Sequence, residues 1–311
     1  MKRIIARISN GLGNQMFLYA SAFSISKKLN RILELDNISA FNAANKKRKE
    51  FKKFHSIYEL DIFNISSKKT LQENTFNNFY RNIFRKFLMF EDKFNLKKNF
   101  FIETKDKDKK TKYINNFVDL NFKDTLYLEG YFESEKYFKD FRKDIINEFT
   151  FKKKIDCKEK FLQQIKNSNS VSICIRADRF NEKKFDDLNT LSVNKSLIFE
   201  REQFNYIIKG INFLKNKIND PRFYLFSNNI SKISHLFKDF NNITFVNEYK
   251  NNKVHEDFFL MSQCKHHIVA PTTFHFWPAW LSEYEYKICI RPKNLNVSNN
   301  LDYWPEQWIS I

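Results

Sequence analysis

The side chains best suited to chemistry stand just behind short apolar runs. Arg176 follows VSICI, Ser227, Asn228 and Asn229 follow RFYLF, and Thr272, Thr273, Phe274 and His275 follow HHIVAP. Near the start, Gly11, Gly13, Asn14 and Gln15 come after RIIARIS. A guanidinium is a planar fork of donors that matches a diphosphate. Hydroxyls and backbone N–H groups at a helix start hold phosphate, and small amides reach a ribose or base. Each group also has a plainer reading. Arg176 could pair with Asp186 or Asp187, Ser227, Asn229 and Thr273 could cap helices, and the glycines could serve a tight turn. Exits of one kind, repeated, favour a shared nucleotide site over separate coincidences.

Those positions matter only if strands and helices alternate behind them. RIIARIS reads as a strand, NQMFLYASAFSISKKL as a helix with Met16, Phe17, Tyr19, Ala20 and Phe23 at helical spacing, and RILELD as a second strand. Residues 46–112 mix lysine runs (KKRKEFKK, KDKDKKTK) with the aromatic stretch FNNFYRNIFRKFLMF, and are expected to form a helical insertion with surface loops. The lysine runs are solvated faces or a patch that rests on anionic lipid. A strand and helix follow in TLYLEGYFESEKYF and KDFRKDIINEF, and a polar stretch places a domain boundary near residue 150. From SVSICIRAD to YKICIRP the β/α rhythm becomes regular, as expected of a parallel sheet covered on both faces. Two α/β domains, 1–150 and 151–311, are the expectation. In such sheets ligands lie outside the carboxyl ends of the strands, where the residues named above fall.

Composition bounds the alternatives. The chain is 42% hydrophobic with 36 Phe, which disfavours disorder. Cys157, Cys174, Cys264 and Cys289 lack CxxC spacing and read as reduced thiols. No apolar run reaches the roughly 18–20 residues that span a bilayer, so a cytoplasmic protein is expected, able to meet the inner face of a membrane only peripherally. A formal charge of +18 favours anionic partners. Asp106 to Lys109 imitates a DxD metal motif inside a lysine-rich run, and no metal is expected there.

GLGNQMFLYA, GYFESEKYF, VSICIR, FSNN and LMSQCKHHIVAPTTFHFWPAWL, in this order, resemble the bacterial α-1,2-fucosyltransferases of glycosyltransferase family 11. The resemblance implies a GT-B-type enzyme with two Rossmann-like domains and a cleft between them, inverting and independent of metal or other cofactor. It implies GDP-fucose as donor, held mainly by the C-terminal half. The acceptor would be galactose on a surface or lipid-linked glycan, with no nucleic-acid partner. Arg176 stands where the family's arginine meets the diphosphate, Thr272 and Thr273 in its hydroxyl pair, and Gly11, Gly13, Asn14 and Gln15 in the loop facing the donor. Cys174, Ser227, Asn228, Asn229, Asp257 and Phe274 fall around the same nucleotide.

The chain also departs from the family pattern. Where the family usually reads HIRRGDY, this chain reads CIRADRF, so Cys174 replaces a histidine, Ala177 an arginine and Asp178 a glycine. FSNN replaces FSDD, which puts base and sugar specificity at issue. Arg176 is expected to stabilise the leaving diphosphate. Asp178 is the expected base, with Asp257, His255 and His275 as further candidates. Rival readings are a transferase of another nucleotide sugar, a polyanion- or glycan-binding protein, and an NAD-type dehydrogenase suggested by GxG and Asp36. For the dehydrogenase, Met16 stands where the fingerprint needs its third glycine.

Overall fold

A computed structural model describes residues 1–41, 57–180, 190–246, 254–293, 295, 298 and 300–311. The lysine run KKRKEFKK and the acids Asp186 and Asp187 lie outside the described residues. The chain divides into two compact units, residues 1–153 with 299–305 and residues 154–298 with 306–311.

The first unit is built on β1 (Arg3–Arg7), α1 (Leu12–Lys28) and β2 (Ile32–Asp36). The two strands pair in parallel, with Arg3 opposite Ile32, because α1 carries the chain back between them. Nearly all of α1 is buried, and Lys27 and Lys28 occupy its last turn, where cations suit the helix dipole. Next come β3 (Lys68–Lys69), α2 (Phe79–Glu91), β4 (Lys98–Ile102), β5 (Phe122–Glu129) and α3 (Arg142–Glu148). The all-parallel sheet runs β3-β2-β1-β5-β4. This corrects the reading of residues 46–112 as a helical insertion: α2 is helical, but the same stretch supplies strands to both edges of the sheet. The run KNFFI is short and set among lysines, so its strand character emerges only on pairing with β5.

The second unit contains α4 (Glu159–Asn167), β6 (Asn169–Ile175), α5 (Thr190–Lys215), β7 (Pro221–Ser227), α6 (Ile230–Ile233) and β8 (Ile243–Phe245). It continues with α7 (Val254–Ser262), β9 (His266–Ile268), α8 (Thr273–Leu281), β10 (Cys289–Arg291) and β11 (Ile309–Ser310). Its parallel sheet runs β11-β10-β9-β6-β7-β8. Alternation along β6 fills both faces. Val171, Ile173 and Ile175 pack with Ile207, Ile211 and Leu214 of α5, while Cys174 packs with Phe161, Leu260 and Met261 from α4 and α7. Gly210 lets α5 lie close to β9, since a Cβ there would sit 3.1 Å from Ile268 Cδ1.

The second sheet reverses its strand order at one place. In the first, β1 lies between β2 and β5, which the chain reaches from the edge strand β4; in the second, β6 lies between β7 and β9, and the later strands run outward on each side of it. Successive connections leave a strand such as β6 toward opposite faces, opening a crevice at its carboxyl end.

Candidate functional site

In the second unit Arg176 leaves β6 and the segment 269–273 leaves β9, so the two exits flank the reversal point. The Arg176 backbone is fixed from both sides. Its N–H donates to Gln203 Oε1 at 3.0 Å, and its carbonyl accepts from Gln203 Nε2 at 2.9 Å. Opposite it, Thr272 is the N-cap of α8, accepting the His275 N–H at 3.2 Å and pairing with His275 Nδ1 at 2.8 Å. That engagement spends the Thr272 hydroxyl on the cap. The N–H groups of Thr273 and Phe274, in the first turn, are of the kind a helix cannot satisfy internally. Burial, and after it the Arg176 charge, pushes the His275 imidazole down to about 3. The result is a neutral histidine beside a cation, facing a helix N-terminus: a setting for an anion, and no place for a histidine base.

The loop after Arg176 explains two departures from the family pattern. Asp178 has a left-handed backbone with φ 56°, the conformation that glycine adopts without steric cost. Its N–H donates to Glu200 Oε1 at 2.7 Å, and its carboxylate accepts from Lys232 Nζ at 2.5 Å and Asn229 Nδ2 at 3.2 Å. Burial opposes the Lys232 charge, but the bonds to Asp178 and Glu200 outweigh it and hold the ammonium above its usual range. Each Asp178 oxygen thus has a protein donor, which suits a loop-shaping ion pair better than a general base. Asn228 accepts from the Ala177 N–H at 2.9 Å and donates to the Ala177 carbonyl at 3.1 Å. An aspartate could make only the first bond. Ser227 Oγ accepts the Asn229 N–H, and Asn229 caps α6. The two asparagines therefore strap the exits of β6 and β7 together instead of presenting free amides to a ribose.

Cys174 needs correction as a nucleotide contact. It is 2% exposed, with its thiol on Met261 Sδ, and burial raises its pKa. Its side chain belongs to the core between the sheet and α7. Asp257 lies on α7 close enough for its charge to bear on that thiol, and Phe274 packs edge-on against Phe258 of the same helix. His255 is held below its ordinary pKa by burial. Asp106 spends its carboxylate on its own turn, accepting the N–H groups of Asp108 and Lys110.

In the first unit the exits of the parallel neighbours β1 and β5 lie side by side. The left-handed residue after β1 is Asn10, with φ 64°, while Gly11 is extended with φ −81° and Gly13 lies within α1. The turn therefore does not demand these glycines, and their missing side chains are the property left to explain them. Gln15 is fully buried, donating to the carbonyls of Asn10 (2.7 Å) and Ile57 (2.9 Å) and accepting the Glu59 N–H (2.9 Å). It is a positioning residue for the segment 57–59. That segment brings Glu59 to the N-terminus of α1, where the Leu12 N–H donates to its carboxylate while burial raises its pKa. Sequence reading missed Glu59, which stands 44 residues from its anchor Gln15. Asn14 is half-buried. Asp36 is 2% exposed and accepts the N–H groups of Ile38 and Ser39, so the acid on which a dehydrogenase reading depends has a structural task.

Behind β5, Gly130 has φ 158°, and a Cβ there would meet Glu103 Cβ at 2.6 Å. Phe132 follows, buried and left-handed with φ 51°. A bulky residue there is strained by about 1–2 kcal/mol, and such strain gathers at working sites. Buried Glu103 holds the loop by accepting the N–H groups of Tyr131 (2.9 Å) and Phe132 (3.1 Å).

The motifs of the sequence thus gather at neighbouring strand exits within each unit, and the match is as extensive as they suggest. Residues 3–311 fit the family described as Glycosyl transferase family 11. The chain belongs to this family. It is 28% identical over 319 residues to an α-1,2-colitosyltransferase of Escherichia coli, covering 100% of this chain and 99% of that one. It is 26% identical over 322 residues to the O-antigen biosynthesis glycosyltransferase WbnK of Escherichia coli, covering 98% and 99%. Among solved structures it is similar to NodZ α-1,6-fucosyltransferase soaked with GDP-fucose, with TM-score 0.47, 12% identity and coverage of 90% and 93%. It is also similar to a point mutant of Arabidopsis thaliana FUT1 in complex with GDP, with TM-score 0.49, 13% identity and coverage of 94% and 71%.

As a family 11 glycosyltransferase the chain is an enzyme with two parallel-sheet α/β units. Its Asp178 takes the left-handed backbone without glycine, and its Asn228 makes a two-way strap that no aspartate can.

Proposed function

We propose that this glycosyltransferase moves fucose, or the related deoxy sugar colitose, from a GDP-linked donor to a galactose hydroxyl of a surface or lipid-linked glycan, with α-1,2 linkage and inversion. Family membership and the colitosyltransferase relative support the sugar class. The observation that carries the reading is the meeting of Arg176 with the N-terminus of α8 at the β6/β9 reversal. We assign the donor to the second unit and the acceptor to the first.

In this mechanism the acceptor oxygen attacks the anomeric carbon as the bond from that carbon to the diphosphate breaks. Negative charge grows on the leaving GDP. Arg176 and the first-turn N–H groups of α8 stabilise it, at about 3–4 kcal/mol for a well-placed donor. The acceptor proton passes to a carboxylate. Glu59 suits this task because burial strengthens its hold on a proton. Asp178 acts instead as a positioning residue for the Arg176 loop. No step calls for a metal, since the cationic work falls to Arg176 and backbone dipoles.

The test is a transfer assay with GDP-fucose, GDP-colitose and UDP-galactose, a β-galactoside acceptor and a chelator, the product linkage being read by NMR. A 2-O-linked α-glycoside from a GDP sugar is expected. Turnover with UDP-galactose alone, or loss of turnover in chelator, overturns the reading.

A further inference from the structure

The amphipathic helix α2 packs one side on the first sheet and leaves its own outer side bare. Its inner side is set by Leu88 and Met89, which join Phe76, Phe100 and Tyr127 in a core cluster. Arg85 pairs there with Glu129, and Arg81 donates to the Thr75 carbonyl. Tyr80, Ile83, Phe84 and Phe87, spaced by threes and fours, point the other way, and Phe90 and Phe94 extend the stripe. Tyr80 is 78% exposed, Phe87 55% and Phe94 74%. Isolated exposed apolar residues are ordinary; a continuous aromatic face on one helix marks an interaction site.

Charge identifies the partner. The acids of this segment are turned to the protein: Asp92 accepts the N–H groups of Asn99 and Phe100, and Glu91 is bonded to Lys123. Lys86, Lys93 and Lys97, beside the aromatic stripe, are exposed. A row of aromatic rings rimmed by lysines, with the carboxylates withdrawn, complements an anionic lipid surface. It would be a poor match for a second copy, which would set lysine against lysine. At 13 residues α2 is too short to span a bilayer, and among the described residues no helix is long and apolar enough to cross one.

We propose that α2 and the residues to 97 form a membrane-docking face that lies in the interface of an anionic bilayer, rings down and lysines at the headgroups. This contact does not depend on which sugar is transferred.

The experiment is vesicle flotation of the full chain with phosphatidylcholine vesicles, with and without phosphatidylglycerol, at low and high salt. The wild type is expected to float with the anionic vesicles and to be released by salt. The triple variant Phe87→Ser, Phe90→Ser, Phe94→Ser should lose at least about tenfold in partitioning, with its thermal transition serving as the folding control. The charge-reversal variant Lys86→Glu, Lys93→Glu, Lys97→Glu changes exposed residues only, and should lose binding to anionic vesicles even if the triple serine variant folds poorly. Failure of the wild type to float, or floating of the charge-reversal variant as wild type, overturns the proposal. Self-association that the aromatic substitutions abolish, without vesicle binding, would assign the face to a second copy and also overturn it.

Discussion

Arg176 and His275 flank the reversal point of the second sheet, and the arginine's charge adds to burial in holding the imidazole neutral, at about pKa 3. A diphosphate bound to Arg176 would cancel part of that charge. GDP should therefore raise the His275 pKa, as read by NMR titration of its ring protons. A pKa that stays put on GDP saturation would mean that the nucleotide binds elsewhere.

The same histidine links stability to pH. Its folded pKa is depressed, so the stability it contributes is complete above the ordinary histidine value and is lost as pH falls from about 6.5 toward 3. In that window one proton is taken up on unfolding, a slope of about 1.4 kcal/mol per pH unit. Denaturant titrations of wild type and His275→Gln should differ by that slope between pH 6 and 4, to order of magnitude. Parallel pH dependences would contradict a buried neutral histidine.

Replacing Glu59 by Gln removes the proposed proton acceptor while keeping the side chain's size. Turnover should fall by roughly 10²–10⁴ with GDP affinity unchanged, and the wild-type acid limb should lie above the ordinary glutamate range, in the direction in which burial moves this carboxyl. A pH profile of kcat/KM checks it. Wild-type turnover in Glu59→Gln would return the base role to another residue.

Asn228→Asp restores the family's residue and tests the strap. The carboxylate keeps the Ala177 N–H but meets the Ala177 carbonyl as acceptor against acceptor. Because Asn228 is exposed, the loss should be near the lower end of about 1–3 kcal/mol, measured by chemical denaturation. Gly130→Ala should be costlier, since its Cβ would have to displace Glu103 Cβ from 2.6 Å. An alanine variant with wild-type stability would show that the Glu103 loop yields easily.

Much of this arrangement was legible in the sequence because it is local. RIIARIS, the helix behind it and RILELD form the first β-α-β step, and Arg176 and Thr272 fall at strand exits as their apolar runs indicate. Cys174 misled because β6 is covered on both faces, so either parity of an apolar strand is buried and alternation does not say which side chain faces a ligand. Glu59 was invisible because its place depends on Gln15, far off in sequence. Nothing in residues 299–305 announced their return to the first unit. The doubled glycine suggested a turn, yet Asn10 makes the left-handed step.

The most direct test of the central claim is the turnover of Arg176→Ala beside its stabilisation by GDP. The backbone bonds to Gln203 remain available to alanine, so the fold should persist. Turnover should fall by roughly 10²–10³, and the thermal shift given by GDP in the wild type should shrink or vanish. A folded Arg176→Ala enzyme with near-wild-type turnover and an undiminished GDP shift would contradict the assignment of the diphosphate to this strand exit.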